Sequence, residues 1–356
     1  MKGRGRPTDI LTMSQPKSPP DESASQQDDR PSPRCMAVMY HYVRPRDPLT
    51  SEGVVGPTPA AFEKQLDRLC RIMEPIDWPT LFAWTEGRAR IPDRCFLLTF
   101  DDGLKDQAQY VTPILERRGI RGTFFVTGQA MAEYRLICGH MVHLLLGRLG
   151  TERFFAEVTK YLDTKHASGG WVAALDEPAA VSLYPYERPE RARLKYLLHM
   201  VLPGEVRRET LTALFEAHVG SPRRWAKEWY LSWDELSEMQ HAGHTLGGHG
   251  YSHEPLNRLS EREQRADLAR SAAVLNEGLG RDIRPVSYPF GRCDKHTAVV
   301  SREVGFAHGF TTEEAMIDGS SQPFALPRVD TIHVEQALQA AGLDEIAPKT
   351  EAAASA

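Results

Sequence analysis

Apolar positions along this chain follow two rhythms that alternate. Short continuous runs, Ala37–Tyr42 (AVMYHY), Cys95–Phe100 (CFLLTF) and Gly122–Thr127 (GTFFVT), predict strands buried on both faces. Helical spacing lies between them: Phe62, Leu66, Leu69, Cys70 and Met73 line one face of Thr58–Met73, opened by Pro57 and Thr58. Thr80–Trp84 and Gln107–Arg118, the latter closed by Gly119, read as further helices. From Glu133 to Arg224 strand signals vanish and helix formers dominate, which predicts a helical insertion. The alternation then resumes with helices at Ser232–His241 and Ser260–Gly278, each opened by a Ser-x-x-Glu capping box. Strands are expected at Thr245–His249, Val286–Pro289, Ala307–Thr311 and Phe324–Asp330, and helices at Thr297–Val304 and Val334–Ala341. This alternation implies an α/β fold with parallel strands and outer helices, either a barrel or an open sheet. In both, chemistry gathers at the carboxyl ends of the strands.

Composition narrows the picture. Residues 1–34 are Pro, Ser, Asp, Gln and Arg with few apolar clusters and are expected to be disordered, because they offer too little surface to bury. Residues 343–356 are expected to form a flexible tail. The net charge of -5, with no dominant basic run, gives nucleic-acid binding no support. No stretch is apolar over the length of a membrane span. Lys2, Arg4 and Arg6 are not followed by the apolar core of a secretory signal. The five cysteines are an odd set at unpatterned spacing and read as reduced thiols, so a cytoplasmic location is expected.

Polar residues at three strand ends carry the candidate chemistry. Thr99-Phe100-Asp101-Asp102-Gly103 sets two acids side by side; in a strand they point opposite ways, but a turn can bring both to one site. A cation beside them would relieve their repulsion, whereas a solvated Asp-Gly turn is the plain alternative. His249-Gly250-Tyr251-Ser252-His253 places two histidines four apart, on one side if a helical turn begins there. Two His and a carboxylate leave a metal an open position for water; a surface pair is the other reading. Tyr288-Pro289-Phe290-Gly291 ends a strand in a turn whose N–H groups would suit an oxyanion. His140, His143 and His199 lie in the helical stretch and read as ordinary surface or core residues.

TFDDG, HxxxH and YPFG, in that order, resemble the polysaccharide deacetylase family, whose catalytic region is the NodB homology domain of carbohydrate esterase family 4. The resemblance covers Met36 to His333 within a catalytic domain at 35–342, with the insertion at 133–224 outside the usual core. It implies an irregular, incomplete β/α barrel and a bound divalent metal, commonly zinc, that hydrolyses N- or O-acetyl groups on sugars. By motif, Asp101 resembles the general base, Asp102, His249 and His253 the metal ligands, and the Phe290 N–H the oxyanion donor.

There are two departures. Ser287 stands where many members carry an Arg that braces the base, and the late Leu-x-x-His-Asp motif that supplies the acid is not evident. One branch of the family is circularly permuted, with that motif at the start, and Met39-Tyr40-His41-Tyr42-Val43 looks like it. His41 is therefore the expected general acid, with Arg328 and Asp330 replacing the braces and His333 a competing acid. The expected substrate is an N-acetylated amino sugar or glycan precursor. Rival readings are a metal-free amidase of cyclic or other non-sugar amides on the same fold, and a carbohydrate-binding module without catalysis.

Overall fold

In the computed structural model, which describes residues 33–47, 53–166, 170–184 and 187–343, the apolar runs become one sheet. Its strands are β1 (Arg34–Tyr40), β2 (Glu74–Pro75), β3 (Arg94–Phe100), β4 (Thr123–Val126), β5 (Thr245–Gly248), β6 (Pro285–Ser287), β7 (His308–Phe310) and β8 (Val329–Asp330). All pairings are parallel, in the order β7-β6-β5-β4-β3-β1-β8, with β2 also on β3. β1 thus lies between β3 and β8, with Met39 in register with Asp330. The expected disordered segment falls on residues 1–32, outside those described, apart from Pro33 and from Arg34, which already belongs to β1; the expected tail likewise falls on 344–356.

The strand expected over Phe324–Asp330 is reduced to the two residues of β8. Pro327 has no N–H to offer a ladder, and the Arg328 N–H goes to the Glu313 carbonyl instead. Upstream of this break Leu326 bridges to Phe310 of β7; downstream β8 pairs with β1. One short, interrupted segment therefore joins the two sides of the sheet, which makes the barrel irregular and incomplete.

Period-2 alternation aims the side chains. On β1 and β3, Met36, Val38, Tyr40, Phe96, Leu98 and Phe100 pack outward under the helices. Cys35, Ala37, Cys95 and Leu97 face inward with Phe125, Phe310 and Leu326. Carrying that alternation along β3 places Thr99, and then Asp101, on the inner side.

Before the insertion come α1 (Pro59–Ile72), α2 (Trp78–Thr85), α3 (Thr112–Arg117) and α4 (Gly128–Glu133). Thr58 caps α1 by accepting from the Ala61 N–H. Between α4 and β5 the described residues hold helices and no strand: α5 (Cys138–Leu149), α6 (Thr151–His166), α7 (Glu177–Leu183), α8 (Pro189–Tyr196), α9 (Gly204–His218), α10 (Pro222–Trp229) and α11 (Trp233–His241). α5 to α10 build their own apolar cluster around Leu145, Phe154, Leu198 and Phe215. α12 (Glu261–Leu279), α13 (Lys295–Val304) and α14 (Val334–Ala340) complete the outer layer. Ser232 and Ser260 form the expected capping boxes with Glu235 and Glu263.

Candidate active site

Asp101, at the inner end of β3, is held by a guanidinium from the interrupted segment. Arg328 donates from Nη1 to Asp101 Oδ1 and from Nη2 to Oδ2, both at 2.8 Å. Arg328 is fully buried. Its other protons go to the Thr311 carbonyl (2.9 Å), Thr99 Oγ1 (3.3 Å) and Ser287 Oγ (2.8 Å). The Ser287 hydroxyl donates onward to Asp101 Oδ2 at 3.3 Å. Burial pushes the Asp101 carboxyl up, but the charge of Arg328, helped by His249 and His41, outweighs it and leaves the group below its usual value.

Asp102 turns to the same side because its backbone is left-handed, with φ 74°. Three of the four non-glycine residues with positive φ among those described, Asp102, His253 and Phe290, lie in this site. Backbone held in such sparsely populated regions tends to cluster where geometry serves function.

His249 Nε2 lies 3.4 Å and His253 Nε2 3.2 Å from Asp102 Oδ1. Donor atoms about 3.3 Å apart are what tetrahedral coordination with bonds of about 2.05 Å requires. His249 Nδ1 donates to the Ser287 carbonyl at 2.9 Å, which turns Nε2 toward Asp102. Asp102 Oδ1 is buried without a hydrogen-bond partner, an orphan that a cation would satisfy. The donor set Asp102, His249 and His253 therefore fits a divalent metal. Electrostatics agree in sign. Burial raises the Asp102 carboxyl, yet His140, His249 and His253 hold it well below the carboxylate range. Burial lowers His249, but Asp101 and Asp102 overcome this and raise it, whereas His253 stays lowered by burial. The field that draws a proton to His249 is the one that would attract a metal.

His253 does not arrive on a helical turn, as the His-x-x-x-His spacing suggested. Residues 250–253 are an irregular loop with His253 at φ 58°, and a 3-10 turn begins only at Leu256. Asp267 of α12 holds this loop, accepting from the Tyr251 N–H (2.7 Å), the Ser252 N–H (2.9 Å) and the Ser252 hydroxyl. Gly247, just before it, has no room for a side chain: a Cβ would lie 2.6 Å from the Pro285 carbonyl oxygen.

Other expected residues divide. His41 follows β1 at the mouth of the site, its Nε2 4.0 Å from Asp101 Oδ2 and its side chain 41% exposed. Phe290, at φ 58° in the 289–291 turn, sets its ring 5.1 Å from that of His253. Asp330 lines the same cavity as His41 and Asp102, where its carboxylate accepts from the Ile332 N–H at 3.0 Å. His333 pairs with Glu314 in a separate depression with Met316 and Ala337.

The reading of His140 as an ordinary residue is corrected. It is buried, and its Nε2 lies 3.0 Å from Asp102 Oδ2. His143 lines the neighbouring cavity with Nδ1 3.0 Å from the Tyr42 hydroxyl, and the His199 ring lies 5.7 Å from that of Phe290, tilted by 52°. Nothing local in the sequence separates His140 from the other two. Asp267 did leave a trace: it is a carboxylate among Gln264, Leu268, Ser271 and Leu275 on the buried face of α12. The cavity beside Asp102 and His41 encloses about 580 Å³ and is walled on the insertion side by Glu187, Arg191 and Lys195.

Strand-end acids and histidines on a parallel, incomplete barrel define a hydrolase type of site whose donor set could hold a metal ion. A family model for polysaccharide deacetylase matches residues 88–159 and 213–309, and over those two stretches the chain is similar to that family. The unmatched stretch lies inside the helical insertion. YxkH of Bacillus subtilis (strain 168), a polysaccharide deacetylase homologue, is 27% identical over 100 residues, 28% of this chain and 36% of YxkH, so the match spans about a third of that relative. The fold is shared with the Streptococcus pyogenes deacetylase PplD, solved with acetate (TM-score 0.55, 14% identity, 88% of this chain and 100% of that one). IcaB from Ammonifex degensii is similar to the same degree (TM-score 0.55, 19% identity, 88% and 97% coverage). The neighbouring first and last strands, β1 and β8, suit the circularly permuted branch of the family.

Proposed function

We propose that this chain is a metal-dependent hydrolase that removes N-acetyl groups from an amino sugar or a related acetamido glycan precursor. The observation that carries the reading is Asp102, His249 and His253 converging beside an Asp101 locked by Arg328. Zinc is the first candidate for this His/His/carboxylate donor set. A divalent ion bound there would polarise the acetamide carbonyl and acidify a water.

The chain's own groups supply the rest. An ionised carboxylate has about four acceptor positions; Arg328 and Ser287 take three on Asp101, which leaves one to receive a proton from attacking water. Fixing the carboxylate in advance removes reorganisation from the reaction step. The Phe290 N–H, in its left-handed turn, is the donor assigned to the developing oxyanion. His41, reachable from the cavity, delivers the proton that the leaving amine requires. A cavity of about 580 Å³ is of the size that takes a small ligand such as one amino-sugar unit.

Acetate release from free, nucleotide-linked and oligomeric N-acetyl amino sugars, before and after chelation and zinc return, tests the proposal. Release should require metal. Undiminished release by a protein proven metal-free would overturn it.

A further inference from the structure

Asp102 offers Oδ1 to the metal position, and its other oxygen must also be satisfied in a buried setting. Oδ2 is met by His140 Nε2 at 3.0 Å. His140 Nδ1 lies 2.7 Å from the Tyr230 hydroxyl, and that oxygen accepts from the Ile137 N–H at 2.9 Å. Asp102, His140 and Tyr230 are each no more than 4% exposed.

The proton inventory has one consistent solution for an uncharged imidazole. A carboxylate only accepts, so His140 carries its proton on Nε2 and donates it to Oδ2. Nδ1 then accepts, and the Tyr230 O–H donates to it while its oxygen takes the Ile137 N–H. All three links are used and none conflicts. The rings of Tyr42 and Trp229 lie 5.6 and 5.8 Å from that of His140 and shield the chain from water.

Its placement ties both ends of the insertion to the aspartate loop. His140 and Ile137 stand at the start of α5, and Tyr230 just past the end of α10. Tyr230 also bridges Leu104, and the Leu231 N–H donates to the Gly103 carbonyl at 2.9 Å.

Resting on the metal-centre reading above, we infer that His140 is a positioning residue. Backed by Tyr230, it holds Asp102 in the rotamer that presents Oδ1 to the metal. It is not a ligand itself, because it donates a proton to the oxygen turned away from His249 and His253. On this view the insertion completes the metal site as well as walling the substrate cavity. Partners that orient a ligand in this way typically contribute 10–100-fold in metal affinity.

The experiment titrates zinc into metal-free full-length protein against a chromophoric chelator and records the visible spectrum of the cobalt(II) form. His140→Leu, which keeps bulk but loses the donor, should weaken binding about 10- to 100-fold with the cobalt band positions unchanged. His140→Gln, whose amide N–H reaches the place of Nε2, should recover most of the affinity. Tyr230→Phe, the removal of one oxygen, should cost less than His140→Leu and serves if the latter fails to fold. Parent affinity in both His140→Leu and Tyr230→Phe would overturn the inference. Equal damage from Leu and Gln would overturn it by pointing to packing, and a cobalt spectrum of altered coordination by making His140 a ligand. His249→Ala is the control for the underlying reading: if it binds zinc like the parent, the metal centre itself is misplaced, whereas its loss beside unaffected His140 and Tyr230 variants rejects the positioning role alone.

Discussion

Arg328 and Asp101 form a bidentate pair in which Arg328 is fully buried and Asp101 almost so. Two charges taken out of water are tolerated only together: removing one leaves the other buried and uncompensated, typically at a cost of about 3–5 kcal/mol. Arg328→Met should therefore destabilise the protein by about that amount, and Asp101→Asn should do so nearly as much while abolishing turnover. Exchanging both charges restores the balance, so Asp101→Asn with Arg328→Met should be more stable than either single variant and still inactive. Urea unfolding of the four proteins measures the coupling. Strict additivity of the two losses would mean that the pair does not act as a unit. A second expectation concerns His41. An acid for the leaving amine matters less when the leaving group needs no proton. His41→Ala should thus retain zinc, lose at least about tenfold on acetamides and lose little on activated acetyl esters; equal loss on both would make His41 a binding residue.

At the scale of elements, the geometry of the site depends on loops that secondary structure holds in place. The Asp267 carboxylate, on α12, receives two backbone N–H groups and a hydroxyl from the loop that carries His253. Hydrogen bonds to a charged group contribute about 1.5–3 kcal/mol each, so Asp267→Ala should release the loop, lower stability by about 2 kcal/mol or more and weaken zinc binding without touching a ligand. Unchanged zinc affinity in a folded Asp267→Ala protein would show that the loop holds its shape unaided.

The elements also explain what the sequence revealed. Strands β1 and β3 were legible because they are continuous apolar runs, and α12 because its capping box and periodicity agree. The TFDDG and His-x-x-x-His motifs were legible because their residues are close in sequence. His140 was not, since its link to Asp102 spans 38 positions and depends on how helices α5 to α10 fold back. The shortness of β8 was hidden for a similar reason: Pro327 marked a weakness, but the destination of the Arg328 N–H is a tertiary fact.

For the molecule as a whole, buried neutral histidines should set acid stability. Burial lowers His244 and His308 to about 4 and His199 to about 3, from an ordinary value of 6.5. A histidine lowered in the folded state is neutral in both states above pH 6.5 and contributes no pH dependence there. As pH falls below 6.5 the unfolded chain takes up the proton first, so stability is lost progressively until the folded value near 4 is reached. His244 makes the cleanest probe, because its Nδ1 accepts the Gly122 N–H at 3.1 Å and protonation would break that bond. His249 is raised by the two carboxylates and runs the opposite way, which makes a single profile ambiguous. The difference between parent and His244→Asn isolates the effect, since the Asn carbonyl can replace the acceptor without titrating. Measured by urea unfolding, the parent's stability relative to His244→Asn should be constant above pH 6.5. It should then fall between pH 6.5 and 4, by at most about 3 kcal/mol. A difference that stays flat down to pH 4 would show that His244 is protonated without penalty in the folded protein, and would remove burial of its ring as a source of acid sensitivity.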